Sequence, residues 1–165
     1  AIVAYTTAIK LNPKYADAYM NRAMAYFFDS DVHNIRQARL DADEAININP
    51  RNAAYYHNSG LIYMMTNNYL PAISSYSEAL AIQKDSVTYE LRGRSYLRIG
   101  KNQEAVRDFS KAIQLEATWS QPYYERGLAY GTLGKKQQAI NDLKIAAQLG
   151  YKEAQDILTK KGVQW

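Results

Sequence analysis

The sequence predicts an all-α fold, a solenoid of antiparallel helix pairs. Three observations carry this. First, four segments share one pattern: YMNRAMAY (19–26), YHNSGLIY (56–63), YELRGRSY (89–96) and YYERGLAY (123–130). Each sets a Tyr, a small Ala or Gly four residues on, and a second Tyr three further, offsets that lie on one helical face. Second, each segment precedes an Ala, a bulky residue four on, and an Ala three further. These are Ala38/Ala42/Ala45, Ala72/Tyr76/Ala79, Ala105/Phe109/Ala112 and Ala139/Leu143/Ala146, with Ala42 in the bulky place of the first. Third, helix-stop residues fall between the patterns. Small residues let two antiparallel helices approach, and the large Tyr and Phe side chains fill the space on either side.

The elements follow in order. Residues 1–15, opening AIVAYTTAIKLNP, supply Ala1, Tyr5 and Ala8, a second helix with no first helix before it. Asn12-Pro13 ends it, because Pro lacks an N–H and restrains the residue before it. Residues 16–52 form the first full pair, ended by Asn49-Pro50. Tyr26 to Ala38 spans twelve residues, against nine from Tyr63 to Ala72, Tyr96 to Ala105 and Tyr130 to Ala139. The three extra residues in FDSDVHNIR extend a helix by about one turn or lengthen the loop, and read as a surface insertion. Residues 53–85 form the second pair, with Pro71 in the first turn of its helix after an Asn68 cap. Residues 86–119 and 120–151 form the third and fourth. Gly100 and Gly134 close their first helices, and Thr118 with Gln121 fits a capping box. Residues 152–165 give a capping helix and tail; the segment YKEAQDILTKK (151–161) sets Ala154, Ile157 and Leu158 on one face, as a solenoid end requires. The whole is expected to be one domain of about four full repeats, a leading half repeat and a cap. The start enters mid-repeat, so at least one more helix is expected upstream of residue 1. The uncapped N-terminal helix also makes self-assembly into a homo-oligomer an alternative role.

Together these motifs resemble the tetratricopeptide repeat (TPR), whose pattern runs W-x2-L-G-x2-Y, then A-x3-F, then P over about 34 residues. Residues 86–119 match at full length, and the likeness recurs four times over nearly the whole chain. The departures are Tyr for Trp throughout, Arg22, Arg92 and Arg126 in the Leu place, and Lys84, Ala117 and Tyr151 in the Pro place. None touches the small-residue contacts. The resemblance implies an α-α superhelix with first helices lining a concave groove that binds peptides. It implies a non-enzymatic protein–protein interaction scaffold, or an accessory domain of a larger enzyme or complex.

Composition narrows the chemistry. Cysteine is absent, which removes disulfides, thiolate metal sites and cysteine nucleophiles. No apolar run approaches a membrane span, no signal peptide is visible, and the compartment stays open. Net charge is +4, and residues 83–165 alone carry fourteen Lys/Arg against nine Asp/Glu. His33 and His57 have no ligand pattern near them, so neither metal nor cofactor is expected. GTLGKK (131–136) fails the phosphate-loop rule at Ala129 and Lys136. Asp41, Asp43 and Glu44 read as a solvated helical face. Arg92, Arg94, Arg98 and Lys101 invite nucleic acid, but Tyr89 and Tyr96 belong to the core pattern and are poor platforms for bases. Nucleic acid is therefore not the expected partner, and neither is a membrane.

A second face of the first helices is left over, about 100–120° from the Tyr/Ala face. It runs through Met20, Asn21, Met24 and Phe27, then His57, Asn58, Leu61, Met64 and Met65. It continues through Glu90, Leu91, Arg94, Leu97 and Arg98 to Tyr124, Glu125 and Leu128. These are the candidate peptide-binding residues. All four methionines fall on this face, and methionine suits surfaces that accept varied partners. Packing between neighbouring first helices explains each methionine equally well. Asn21 and Asn58 recur at one place and suit an extended peptide backbone. The resembled family's clamp for Hsp70 and Hsp90 tails needs Lys, Asn, Asn, Lys and Arg where this chain has Met20, Met24, Asn58, Val87 and Leu91. Only Asn58 matches, so that ligand is disfavoured.

Overall fold

The computed structural model describes residues 1–29 and 32–165, and gives the side chains of Val32 and His33 no description. Among the described residues there are ten α-helices and no strand. They are α1 (Ile2–Leu11), α2 (Ala16–Phe28), α3 (Val32–Ile48), α4 (Ala53–Met65), α5 (Tyr69–Ile82), α6 (Ser86–Arg98), α7 (Asn102–Leu115), α8 (Ser120–Thr132), α9 (Lys136–Gln148) and α10 (Lys152–Lys160). The chain divides into two compact units, residues 1–84 and 85–165. In the first, α1 packs on α2, α2 on α3, α3 on α4 and α4 on α5. In the second, α6 packs on α7, α7 on α8, α8 on α9 and α9 on α10.

Each helix pair is built on a volume match. Gly60 faces Tyr76 so closely that an added Cβ would lie 2.6 Å from the ring, and at Gly93 it would lie 2.8 Å from Phe109. At Gly127 it would meet the Ala139 carbonyl at 3.2 Å and Leu143 at 3.3 Å. The first pair reaches the same balance another way. Ala23 replaces the glycine and Ala42 replaces the ring, and both are buried. Small against large keeps the packing dense in every pair.

Beside this contact sits a feature the sequence reading passed over. Arg92 Nε donates to Asp108 Oδ2 at 2.7 Å and its Nη2 to Oδ1 at 2.8 Å. Arg126 binds Asp142 with the same two distances, and Arg22 binds Asp41 at 2.7 and 2.8 Å. Planar bidentate geometry of this kind is what a guanidinium fork offers a carboxylate. Tyr19 and Tyr26 flank Arg22, Tyr89 and Tyr96 flank Arg92, and Tyr123 and Tyr130 flank Arg126, all with ring centroids 5.7–6.0 Å away. In three of the four pairs the two signature tyrosines thus sandwich the arginine that stands where the resembled pattern has Leu. Arg22 also donates to Thr6 at 3.1 Å and Arg126 to Ser110 at 2.9 Å, which ties in the preceding helix. The second pair has Ser59 and Ser75 in these places, 3.4 Å apart. Asp41 is therefore buried in an ion pair, which corrects its reading as part of a solvated face. Asp43 and Glu44 are exposed.

Helix C-terminal ends follow local chemistry, but two expected N-terminal caps do not form: Asn68 stands before α5 with no side-chain bond to it, its amide donating to Thr66. Gly100 and Gly134 take φ of 75° and 74° just past α6 and α8. There the Lys101 N–H reaches the Tyr96 carbonyl at 2.9 Å, a Schellman closure. Asn67 fills that place after α4 with φ 60°, one of the few non-glycine residues that tolerates it. The other cap that does not form is the Thr118/Gln121 box. The cap of α8 is Trp119, with no side-chain bond. Gln121 is engaged elsewhere, as described below. The insertion lengthens a helix: α3 has 17 residues, whereas α5 and α7 have 14. Its remaining part, at positions 30 and 31, lies outside the described residues, as does the side chain of His33.

The arginine clamps yield a test. Asp108→Ala strands a buried guanidinium between two tyrosines and should cost about 3 kcal/mol in urea unfolding. Arg92→Leu with Asp108→Ala removes both charges and should fall within about 1 kcal/mol of the parent. A single variant that costs less than the double would show that the pair holds nothing together.

Candidate functional site

The first helices α2, α4, α6 and α8 use one face for the pair contact, and the other face is the candidate site. In the first unit it divides by depth. Met20 is 3% exposed and belongs to the core with Ala16, Ala23 and Tyr55. Met64 is buried and accepts a contact from the Tyr76 hydroxyl at 3.8 Å. These two methionines pack and are not offered. Met24 and Phe27 are half-buried against the same core. His57, Asn58 and Leu61 are half-buried, and His57 meets the Tyr76 ring edge-on at 6.0 Å. Asn21 is exposed, Met65 is 60% exposed and Phe28 is 72% exposed. Residues 19–28 thus divide into a core part, with Met20 and Ala23, and a surface part, with Asn21 and Phe28.

In the second unit the face is charged. Glu90 and Leu91 are buried, Arg94, Leu97, Tyr124 and Glu125 are half-buried, and Arg98 and Leu128 are exposed. Arg94 stands between two carboxylates, with Nη1 3.6 Å from Glu90 and Nε 3.9 Å from Glu125. Gln121 Nε2 donates to Glu90 Oε1 at 3.1 Å, across from α8 to α6. Tyr124 stacks on Tyr151 with centroids 4.6 Å apart. Gln121 and Tyr151 belong to this cluster although the sequence reading omitted them. Their signal was weak: Gln121 imitated a capping residue, and Tyr151 stood where the family has Pro.

Burial sets the electrostatics. It pushes the Glu90 carboxyl up to about 7, with Arg94 opposing and Glu125 adding to the rise. Burial also raises Glu125, again against Arg94. Near neutral pH the Glu90 carboxyl can therefore donate as well as accept a hydrogen bond. Among the described residues no group of three His, Cys, Asp or Glu is placed to hold a metal ion. No helix is long and apolar enough to cross a membrane.

Comparison with known proteins agrees with this architecture. The tetratricopeptide repeat model matches residues 53–86, 87–118 and 120–149. Human serine/threonine-protein phosphatase 5 is 31% identical over 104 residues, 62% of this chain and 20% of that protein. Small glutamine-rich tetratricopeptide repeat-containing protein 2 of Saccharomyces cerevisiae is 32% identical over 113 residues, 68% of this chain and 32% of that protein. This chain therefore spans about a fifth to a third of the length of these relatives. Among solved structures, MamA superposes with a TM-score of 0.85 at 21% identity, over 93% of this chain and 89% of that one. The first TPR domain of Spaghetti (RPAP3), bound to the HSP90 peptide SRMEEVD, superposes with a TM-score of 0.63 at 26% identity, over 67% of this chain and 90% of that one.

The raised Glu90 gives a signed pH dependence. Its neutral form is favoured in the folded state, so its contribution is full below about pH 4.5 and is lost as pH rises through about 7. Urea unfolding should show a loss on the order of 3 kcal/mol between pH 5 and pH 8. Glu90→Gln keeps an acceptor for Gln121 and should flatten that profile. A parent protein with no such loss would refute the burial account.

Proposed function

The chain belongs to the tetratricopeptide repeat family, a family of protein-interaction scaffolds, and from that premise we propose that its first-helix faces bind a peptide segment of a partner protein, without chemistry of their own. One observation supports this most. Helices consumed by packing on one side still expose Asn21, Met65, Arg98 and Leu128 on the other. Burying Met65 or Leu128 contributes on the order of 1.5–3 kcal/mol each. Ordering costs offset much of it, which places affinity around micromolar. The HSP90 peptide held by Spaghetti is acidic, and this chain is poorly suited to that chemistry. Met20 and Leu91 are buried at two clamp positions. Phosphatase activity belongs to a relative of which this chain covers a fifth, so it is not part of the proposal.

A photo-crosslinking amino acid at Leu61 or Leu128 tests the reading, with Ser74 and Gln138 on second helices as controls. Adducts should form at the first-helix positions and fall at least about tenfold when Met65→Glu or Arg98→Glu is added beside them. Adducts at the second-helix positions alone would overturn the assignment.

Self-association through α1 is a second reading with its own support. That helix has no buried residue, and Val3 and Leu11 are 80% and 83% exposed. Sedimentation across a concentration series should then show a dimer that Val3→Glu with Leu11→Glu dissolves. A monomer at every concentration would remove this reading.

A further inference from the structure

Between α3 and the end of α4 lies a pocket that the first-helix face does not include. It holds about 700 Å³, within the range of small-ligand and peptide sites. Its walls are the N-terminal half of α3, with Ile35, Arg36, Arg39 and Leu40, and the C-terminal end of α4, with Tyr63 and Thr66. It lies wholly within the first unit.

Its chemistry inverts the pattern of the other repeats. The residue after the first Ala of each second-helix motif is Ile73, Val106 or Ile140, but here it is Arg39. The third residue past the closing Tyr of a first helix is Ile99 or Leu133, but here it is Thr66. One position beyond Arg39, where Ser74, Arg107 and Asn141 are polar, stands Leu40, 54% exposed. A polar pair thus replaces an aliphatic one inside, and an apolar residue replaces a polar one outside. Packing needs neither exchange.

The arginine is also under-satisfied. Arg39 Nη2 donates to Thr66 Oγ1 at 2.7 Å, and its guanidinium lies 5.1 Å from the Tyr63 ring centroid. Its Nε is buried with no acceptor, a cost that a native structure seldom carries without a reason. Among the described residues neither Arg36 nor Arg39 is in an ion pair. Asp43 lines the same pocket and leaves its charge at net +1. Two cations beside an apolar wall are complementary to a carboxylate beside an apolar side chain.

We propose that this pocket is a second binding site, for a peptide segment that sets an Asp or Glu carboxylate against Arg36 and Arg39 and an apolar side chain against Ile35, Leu40 and Tyr63. The other face of the scaffold, read above as the main groove, is not needed for it.

Nuclear magnetic resonance of the full isotope-labelled chain tests this with defined probes. These are pools of end-capped tetrapeptides pairing Glu with Leu, Phe, Tyr or Val, matched pools with Gln for Glu, and acetate alone. The Glu pools should shift the Arg39 Nε–H and Thr66 amide signals saturably at millimolar concentration. The Gln pools and acetate should not. Arg39→Ile with Thr66→Ile restores the aliphatic pair of the other repeats, and should melt no lower than the parent while binding at least about tenfold more weakly. Leu40→Ser, on the surface, should also weaken binding and guards against a misfolded double variant. The proposal is overturned if no Glu pool shifts these signals, or if Gln pools or acetate shift them equally. Unchanged binding in both variants overturns it as well.

Discussion

Everything in this molecule depends on how closely two antiparallel helices can approach within a pair. At Gly60, Gly93 and Gly127 the backbone of a first helix lies against a Tyr, a Phe or a Leu of the second, with no room for a Cβ at the first two. Ala23 and Ala42 solve the same problem with two middle-sized residues. One residue before each small member in three pairs stands an arginine. One residue before each bulky member stands its aspartate. Volume match and ion pair therefore share a register, and a slip of either helix would break both. In the first pair the three-residue insertion is absorbed before that register begins, so Arg22 meets Asp41 as Arg92 meets Asp108.

That constraint decides which residues remain for partners. The signature tyrosines are spent twice, as packing and as the rings that cover the arginines. What survives on the first helices is apolar and amide-bearing in the first unit. In the second it is Arg94, Arg98 and Leu128 beside a half-buried Glu125 and a stacked tyrosine pair. Burying Glu90 carries an electrostatic cost in its ionised form, and Arg94 and Gln121 meet part of it. Burial likewise lifts the Asp108 carboxyl, with Arg92 drawing it back. In such pairs the desolvation cost offsets much of the Coulombic gain.

The repeat was legible because its cause is local and periodic. Tyr, small and Tyr at offsets of 0, 4 and 7 can mean little other than one helical face, and Gly100 and Gly134 mark turns by backbone geometry alone. The arginine clamps were written in the sequence too, as a constant spacing of 16 from Arg92 to Asp108 and from Arg126 to Asp142. They were passed over because Asp41, Asp43 and Glu44 look alike as a charge run. Only one of the three points into the pair. Depth was harder still. Met20 and Met65 are the same residue type on the same face pattern, yet one is in the core and the other is 60% exposed.

By itself, then, the sequence determined the helix type, the pairing, the turns and the identity of the repeat, because these follow from side-chain volume and periodicity along one helix. Only tertiary structure decided which methionines are surface, that Gln121 serves Glu90 instead of capping a helix, and that Arg39 faces Thr66 across a pocket. Those facts depend on what a neighbouring helix brings to within a few ångströms, and sequence separations such as the 27 residues from Arg39 to Thr66 or the 31 from Glu90 to Gln121 carry no such information.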